Sequence, residues 1–177
     1  MKTNATLLIR EPIISDKAAV WDYRQEFIRE SSHIPGSGAL GTYDTFEEWL
    51  EHVEENKKGS QERDLVKATQ YLAYRPSDSV LVGVIQLRHS LNTYLEDFGG
   101  HIGYSVRPTE RRKGYASAML TECLRIAFDV GISDVLVTCD EENVASERVI
   151  LKLGGVYEDS RTEPNGAVKK RFWIKTS

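Results

Sequence analysis

The sequence predicts an α/β domain built on a mixed, mostly antiparallel sheet with one parallel β-α-β crossover. Strand-like alternation of apolar and polar residues is interleaved with helical periodicity along the chain. Two neighbouring strand segments are separated by a short turn, which favours an antiparallel hairpin. A strand, a helix and a second strand then follow one another, which favours a right-handed parallel crossover. We expect residues 1–177 to form a single domain.

Composition excludes several classes of protein. Hydrophobic residues make up 40% and charged residues 28%, which is ordinary globular usage and excludes wholesale disorder. The net charge of −4 argues against a general nucleic-acid binder, and no apolar run approaches the ~20 residues of a membrane span. Met1–Arg10 lacks the pattern of a signal peptide. Cys123 and Cys139 lie in apolar segments without metal-ligand spacing, as buried free thiols do in a reducing compartment. We therefore expect a cytoplasmic protein without nucleic-acid or membrane partners.

The first elements are a strand and two helices. Thr6–Arg10 reads as an opening strand, and Asp16–Glu30 has helical periodicity. A loop rich in Gly and Ser, Ser31–Thr42, separates this helix from the next. Thr45 and Glu48 form a capping box, which predicts that the second helix begins there.

The middle of the chain predicts three strands. Val66–Tyr74 and Val80–Arg88 flank the turn Arg75–Ser79, whose composition favours a hairpin. His101–Val106 alternates and is closed by Pro108. The second half completes the crossover and ends in a hairpin. Its predicted elements are Gly114–Val130 (helix), Val135–Cys139 (strand), Asn143–Leu153 (helix), Val156–Asp159 (strand) and Arg171–Lys175 (strand).

The segment between the crossover strand and its helix carries the chemistry. A helix N-terminus offers free N–H groups and the positive end of the helix dipole, so it favours anions. Gly114 allows a ligand to approach the backbone, and Arg111, Arg112 and Lys113 add positive charge. We interpret this loop as a site for a polyanion, most simply a pyrophosphate; a solvated basic loop is the alternative. The spacing matches neither the dinucleotide fingerprint nor the P-loop.

These residues resemble the cofactor signature of the GCN5-related N-acetyltransferase (GNAT) superfamily. That signature is Arg or Gln, two residues, Gly, one residue, then Gly or Ala, and Arg111-Arg112-Lys113-Gly114-Tyr115-Ala116 matches it. The strand Val135–Cys139 and the segment from Asn143 to Gly154 are also similar to the family. The resemblance implies the three-layer GNAT fold, with its parallel crossover at the cofactor slot.

The resemblance also implies acetyl-CoA as the acyl donor. Its pyrophosphate would lie on the backbone of the phosphate loop, and backbone groups near Ser105 and Val106 would hold the pantetheine arm and polarise the thioester carbonyl. Asn143 would contact the cofactor from the following helix, and Ser146 would do so or cap that helix. The residues expected at the cofactor are Ser105, Val106, Arg111, Arg112, Lys113, Gly114, Tyr115, Ala116, Ser117, Asn143 and Ser146.

Transfer to an amine needs a base, because a free amine is protonated at neutral pH. His101 is the first choice, with a histidine satisfied by a backbone carbonyl as the structural alternative. Glu96, Asp97 and Asp140 are weaker candidates. Relatives often carry a tyrosine that acts as the general acid at the position of Ile150 in this chain. They also often carry an aromatic residue at the position of Gly155. Tyr104 or water is then the candidate proton donor.

The expected activity is direct acetyl transfer to a primary amine of a small molecule or a protein. The departure at Ile150 keeps open a non-catalytic acyl-CoA-binding module on the same fold. A nucleic-acid site at Arg111–Lys113 is the weakest reading, since three charges make a small footprint without accompanying aromatics. We also expect that an exposed final strand can pair with a second copy in a homodimer.

Overall fold

The computed structural model describes residues 5–177. No helix in this range is long and apolar enough to cross a membrane. The strands and helices are β1 (Leu8–Arg10), α1 (Lys17–Arg29), α2 (Phe46–Asn56), β2 (Ala68–Arg75), β3 (Val80–Arg88), β4 (Ile102–Val106), α3 (Tyr115–Asp129), β5 (Asp134–Asp140), α4 (Val144–Lys152), β6 (Val156–Thr162) and β7 (Val168–Lys175). Short helical turns lie at Ile14–Asp16, Leu40–Thr42, Leu95–Gly99 and Pro108–Glu110.

The predicted elements are present, with boundaries that shift by a few residues. The opening strand is shortened to β1, whereas the two strands of the final hairpin are longer than predicted. The hydroxyl of Thr45 accepts from the N–H of Glu48, and the Glu48 carboxylate accepts from the N–H of Thr45. The capping box therefore begins α2 as predicted. The helical turn Leu95–Gly99 was not predicted, because its residues read as a loop.

The seven strands form one sheet in the order β1-β2-β3-β4-β5-β7-β6. The β4–β5 pair is parallel and the remaining pairs are antiparallel, which confirms the predicted mixed sheet. One expectation is wrong: the final strand β7 lies inside the sheet, between β5 and β6. The exposed edge is β6, whose Val156 and Tyr157 are exposed. A second copy pairing with this end of the sheet would meet β6.

Helices cover both faces of the sheet. The core beneath α1 and α2 includes Tyr23, Phe27 and Trp49, packed on β2 and β3. The core beneath α3 and α4 includes Met119 and Ile150, packed on all the strands from β2 to β7 except β6. The burial of these apolar side chains on both faces of the sheet is the main force that holds the layers together.

The loop that follows α1 is held against β4. A Cβ atom added to Gly36, which has φ of +66°, would lie 2.1 Å from the carbonyl oxygen of Gly103. The side-chain amide of Gln70 donates to the Gly36 carbonyl over 2.8 Å, and the Trp49 indole N–H donates to the Ser37 carbonyl over 2.8 Å. The loop therefore takes a defined position over the middle of the sheet.

Replacing Gly36 tests this contact. We expect Gly36→Ala to lower the free energy of unfolding by about 2–5 kcal/mol, because it adds a left-handed alanine and a backbone collision. Gly166→Ala is the matched control, since Gly166 has φ of +89° but no atom within 4 Å of an added Cβ. The control should lose only about 1–2 kcal/mol. Urea unfolding of both variants measures the difference, and equal losses would contradict the close contact.

Candidate active site

The parallel pairing of β4 with β5 ends almost as soon as it begins. Its register contains only Ile102 opposite Val137, whereas β4 pairs with β3 through Val106. On its other side β5 pairs with β7 over its whole length. The two central strands therefore separate toward their C-terminal ends, and a gap opens between them.

Backbone groups of β4 face this gap. The N–H of Arg107 donates to the carbonyl of Val82 over 2.8 Å, so the odd-numbered residues of β4 bond to β3. Neighbouring residues of a strand direct their N–H and C=O groups to opposite sides. The N–H and C=O groups of Tyr104 and Val106 therefore point into the gap, where β5 does not pair with them.

Ser105 is placed differently from the expectation. It lines the cleft, but the Tyr23 hydroxyl donates to its carbonyl over 3.0 Å and lies 3.0 Å from its hydroxyl. Burial raises the pKa of Tyr23, so its phenol stays protonated. Of the predicted pair, Val106 presents its backbone to the gap and Ser105 does not; Tyr104 takes the second position.

The gap continues into a cleft of about 760 Å³. Its walls are the end of α1 and the following loop, the C-terminal half of β4, the loop before α3 with the first turn of α3, and one face of α4. The lining residues are Phe27, Ser32, His33, Pro35, Tyr104, Ser105, Val106, Glu110, Arg111, Arg112, Gly114, Tyr115, Ala116, Ser117, Asn143, Ala145, Ser146, Arg148, Val149 and Lys152.

The N-terminus of α3 opens toward this cleft. Gly114 has φ of +84°, and an added Cβ would meet no atom within 4 Å, so the backbone is open to a ligand. Arg112 also takes a left-handed conformation, with φ of +65°. Ala116 and Ser117 line the cleft from the first turn, where the helix leaves its N–H groups without intrahelical partners. The predicted anion loop is therefore brought together with the gap.

Three residues of this loop have structural partners, and one of them is Arg111, whose Nη1 lies 3.6 Å from the Glu30 carboxylate. Lys113 is absent from the cleft lining, and its ammonium donates to the Glu110 carboxylate over 2.7 Å. The expectation that Lys113 contacts the cofactor therefore finds no support in the geometry. Tyr115 lines the cleft, but its hydroxyl accepts from the Arg75 guanidinium over 2.9 Å. Arg75 also holds Glu110 over 2.7 Å, which lowers the pKa of that carboxyl.

Helix α4 contributes a face that the sequence analysis missed. Asn143 caps this helix, and its side-chain oxygen accepts from the N–H of Ser146 over 3.1 Å. Ala145, Arg148, Val149 and Lys152 line the cleft. Their spacing of i, i+3, i+4 and i+7 marks one side of a helix and is the signal that could have found Arg148 and Lys152. These two cations extend the positive charge of the loop along the cleft.

A phenol from β4 reaches the start of α4. The hydroxyl of Tyr104 lies 2.5 Å from the hydroxyl of Ser146, and burial raises the pKa of Tyr104. Ile150 is fully buried in the core beneath α4. A Cβ on Gly155 would lie 2.5 Å from the Ile150 side chain, so Ile150 fills the space beside this glycine. The isoleucine at position 150 and the glycine at position 155, which both depart from the family pattern, therefore pack against each other.

His101 lies outside the cleft lining and is buried beneath the loop before β4. Its Nδ1 accepts from the N–H of Leu136 over 2.9 Å, and its ring packs edge-on against Trp173. Burial and the nearby charge of Arg88 lower the pKa of His101 to about 4. This geometry favours the structural role of His101 over the role of base that was its first interpretation.

The other carboxylates considered as bases also lie away from the cleft lining. Asp97 is paired with Arg161, Asp140 is paired with Lys169, and Glu96 accepts through its backbone carbonyl from Arg171. His33 was missed: it is the only histidine among the residues that line the cleft in the described part of the chain. It follows α1 in the Gly- and Ser-rich loop, where no sequence motif marks it.

Comparison with known proteins shows the family to which the chain belongs. Residues 6–156 match the family model described as an acetyltransferase (GNAT) domain. The chain is 28% identical over 156 residues to an uncharacterized N-acetyltransferase, YnaD, of Bacillus subtilis, with 86% of this chain and 80% of the relative covered. The chain therefore belongs to the GNAT acetyltransferase family. It is an N-acetyltransferase, and acetyl-CoA is its acyl donor.

Two solved structures share the fold. One is RimL, a ribosomal L7/L12 α-N-protein acetyltransferase in complex with coenzyme A, with a TM-score of 0.71, 18% identity and coverage of 97% and 94% of the two chains. The other is a dodecameric spermidine N-acetyltransferase from Vibrio cholerae, with a TM-score of 0.67, 18% identity and coverage of 97% and 95%. One of these enzymes is named for a protein acceptor and the other for a small amine.

The environment of His101 predicts a pH dependence of stability. Between the ordinary pKa near 6.5 and the folded value of about 4, the unfolded chain binds a proton that the folded chain excludes. The free energy of unfolding should therefore rise as the pH increases from 4 to 6.5, and the rise should be smaller in His101→Gln. Urea unfolding at several pH values measures the difference. An NMR titration midpoint of the His101 ring near 6.5 would contradict the assignment.

Proposed function

We propose that this enzyme transfers the acetyl group of acetyl-CoA directly to a primary amine of a small molecule or a protein, in the cytoplasm. The observation that carries the proposal is the continuity of the β4–β5 gap with the N-terminus of α3. The gap exposes strand backbone groups that suit an extended amide-bearing arm, and the helix end suits a pyrophosphate. The two structural neighbours act on different acceptor classes, so both classes are retained.

The residues of the cleft fit the donor along its length. The free N–H groups of the first turn of α3, beside Gly114, receive the pyrophosphate. Arg111, Arg112, Arg148 and Lys152 line the same cleft and supply cations for phosphate groups. When bound, acetyl-CoA supplies an acetyl group activated as a thioester. The backbone N–H of Tyr104 or Val106 polarises the thioester carbonyl, as an oxyanion hole does.

His33 is the proposed base. It lines the cleft from the loop that Gly36 fixes against β4, and Tyr104 lines the same cleft. Imidazole suits proton transfer near neutral pH, whereas Glu110, the lining carboxylate, is engaged by Arg75 and Lys113. His33 accepts the proton that the amine loses as its nitrogen bonds to the acetyl carbon.

Tyr104 is the proposed proton donor. As the carbon–sulfur bond breaks, its hydroxyl gives a proton to the departing thiolate. The raised pKa keeps this phenol protonated at neutral pH, and the Ser146 hydroxyl 2.5 Å away fixes its position. Because this phenol comes from β4, the proposed mechanism needs no tyrosine at position 150.

Placing a carboxylate at the helix end tests the cofactor site. We expect Gly114→Asp to raise the dissociation constant of acetyl-CoA by about 10- to 100-fold, because the new anion repels the pyrophosphate. Gly166→Asp is the matched control, since both glycines have open surroundings and similar left-handed φ values of +84° and +89°. Calorimetric titration with acetyl-CoA measures both variants. Unchanged affinity in Gly114→Asp would rule out the site.

Replacing His33 tests the base. We expect His33→Gln to lower kcat by about 10²- to 10⁴-fold, the usual contribution of a general base, with little change in acetyl-CoA affinity. His52→Gln is the control, because His52 lies on α2 beside Asn56 and does not line the cleft. Release of coenzyme A measures the rate. A normal kcat in His33→Gln would assign the proton transfer to another group.

A further inference from the structure

Arg88, the last residue of β3, carries a positive charge without a carboxylate partner among residues 5–177. Its Nε donates to the Gln86 side-chain oxygen over 3.1 Å. Its Nη1 donates to the carbonyls of Gly99 and Gly100 over 2.9 and 3.3 Å. These acceptors are all neutral. Burial of the guanidinium lowers its pKa, and no carboxylate in the described range offsets this effect. Half-buried cations are ordinarily paired with an anion.

Two other arginines that turn inward are paired with carboxylates. Arg107 donates to the carboxylates of Asp22 and Glu26, at 2.9 and 3.1 Å. Arg171, at 1% exposure, is bonded to the carboxylates of Glu158 and Asp159. The chain therefore neutralises its two most deeply buried guanidinium groups, whereas Arg88, like the part-buried Arg24, donates only to neutral oxygens.

The second terminal nitrogen of Arg88, Nη2, has no hydrogen-bond partner in the described part of the chain. No fully buried polar side-chain atom there lacks a partner, so this nitrogen keeps at least a small solvent-exposed surface. It lies 3.1 Å from the position that a Cβ would take on Gly103, and Gly36 lies 3.2 Å from the same position. Because both residues are glycines, no side chain of either covers the nitrogen.

This nitrogen lies beside β4 on the face of the sheet that carries the His33 loop, although Arg88 is not among the residues that line the cleft. Gly103 immediately precedes Tyr104 on β4, on the face of the sheet that carries the His33 loop. The opposite face carries α3 and α4, which line the donor part of the cleft. A ligand on Arg88 is therefore beside the gap on the side away from the donor, where an acceptor must enter.

We propose that Arg88 binds a carboxylate of the acceptor, so that this enzyme acetylates the amine of an amino acid. A guanidinium with a free N–H is well suited to a carboxylate, and a half-desolvated charge strengthens the interaction. Arg88 repels a polyamine such as spermidine, and a protein N-terminus has an amide where the amino acid has its carboxylate. The inference rests on the proposed function and narrows its acceptor.

Matched acceptors test the inference on the wild-type enzyme. The rate of coenzyme A release is measured for L-amino acids and their decarboxylated amines, such as L-phenylalanine with phenethylamine, L-lysine with cadaverine and L-histidine with histamine. Spermidine, O-phosphoethanolamine and an N-terminal peptide complete the panel. We expect kcat/KM for the best amino acid to exceed that of its matched amine by at least about 10-fold, as for the loss of a charged hydrogen bond.

Variants assign that preference to Arg88. Arg88→Met should reduce the ratio of kcat/KM for the amino acid to that for its amine by about 10- to 100-fold. Arg88→Lys should reduce it less, because the charge remains. Arg125→Met is the control, since it removes an exposed arginine of α3 that pairs with Glu122 and Asp129, and it should keep the ratio. Titration with acetyl-CoA confirms that each variant is folded. If Arg88→Met does not fold, the role of Arg88 is decided by the ratio in Arg88→Lys compared with the ratio in the wild-type enzyme.

The outcomes separate this inference from the proposed function. Preference for an amine without a carboxylate, for O-phosphoethanolamine or for the peptide overturns the role of Arg88 and leaves the acetyltransferase intact. A ratio unchanged in Arg88→Met, or in Arg88→Lys where the former does not fold, has the same meaning. Absence of turnover with the whole panel, or absence of acetyl-CoA binding, overturns both.

Discussion

The site depends on the point at which β4 and β5 stop pairing. Two parallel strands that remained bonded to their ends would satisfy each other's backbone groups and leave no room for a ligand. Here the register ends at Ile102 and Val137, while β3 and β7 hold the outer sides of the same strands. The strands cannot move together without breaking those ladders. The unpaired groups of β4 are therefore available to a bound molecule.

The layers on either side of the sheet divide the work of the site. The helices α3 and α4 contribute the anion-binding turn and a cationic face for the donor. The loop after α1 contributes His33 on the opposite side, and the contact of Gly36 with Gly103 fixes its height above β4. Tyr104 is placed where both layers meet, since its hydroxyl bonds to Ser146 on α4. In the proposed mechanism, donor and acceptor groups meet across this single strand.

Buried charge is distributed unevenly in this fold. Arg107 ties β4 to α1 through two carboxylates, and Arg171 ties β7 to β6 in the same way. These pairs join elements that are distant in sequence. Arg88 instead holds the loop before β4 through neutral carbonyls and keeps one N–H free. Under the proposal above, the paired arginines stabilise the fold and Arg88 recognises the acceptor.

The sequence by itself determined the mixed character of the sheet, the order of the elements along the chain and the anion loop, but not the place of the final strand within the sheet. Thr45 and Glu48 set a helix boundary through local hydrogen bonds, and Gly114 follows three basic residues in one short segment, so both signals are contained in contiguous residues. The tertiary structure decided which of the nominated side chains reach the cleft. It turned Lys113 and His101 to structural partners and brought His33 to the cleft from a separate loop, while Arg88 lies beside Gly103 and outside the cleft lining. Such distances depend on packing between layers and not on spacing along the chain.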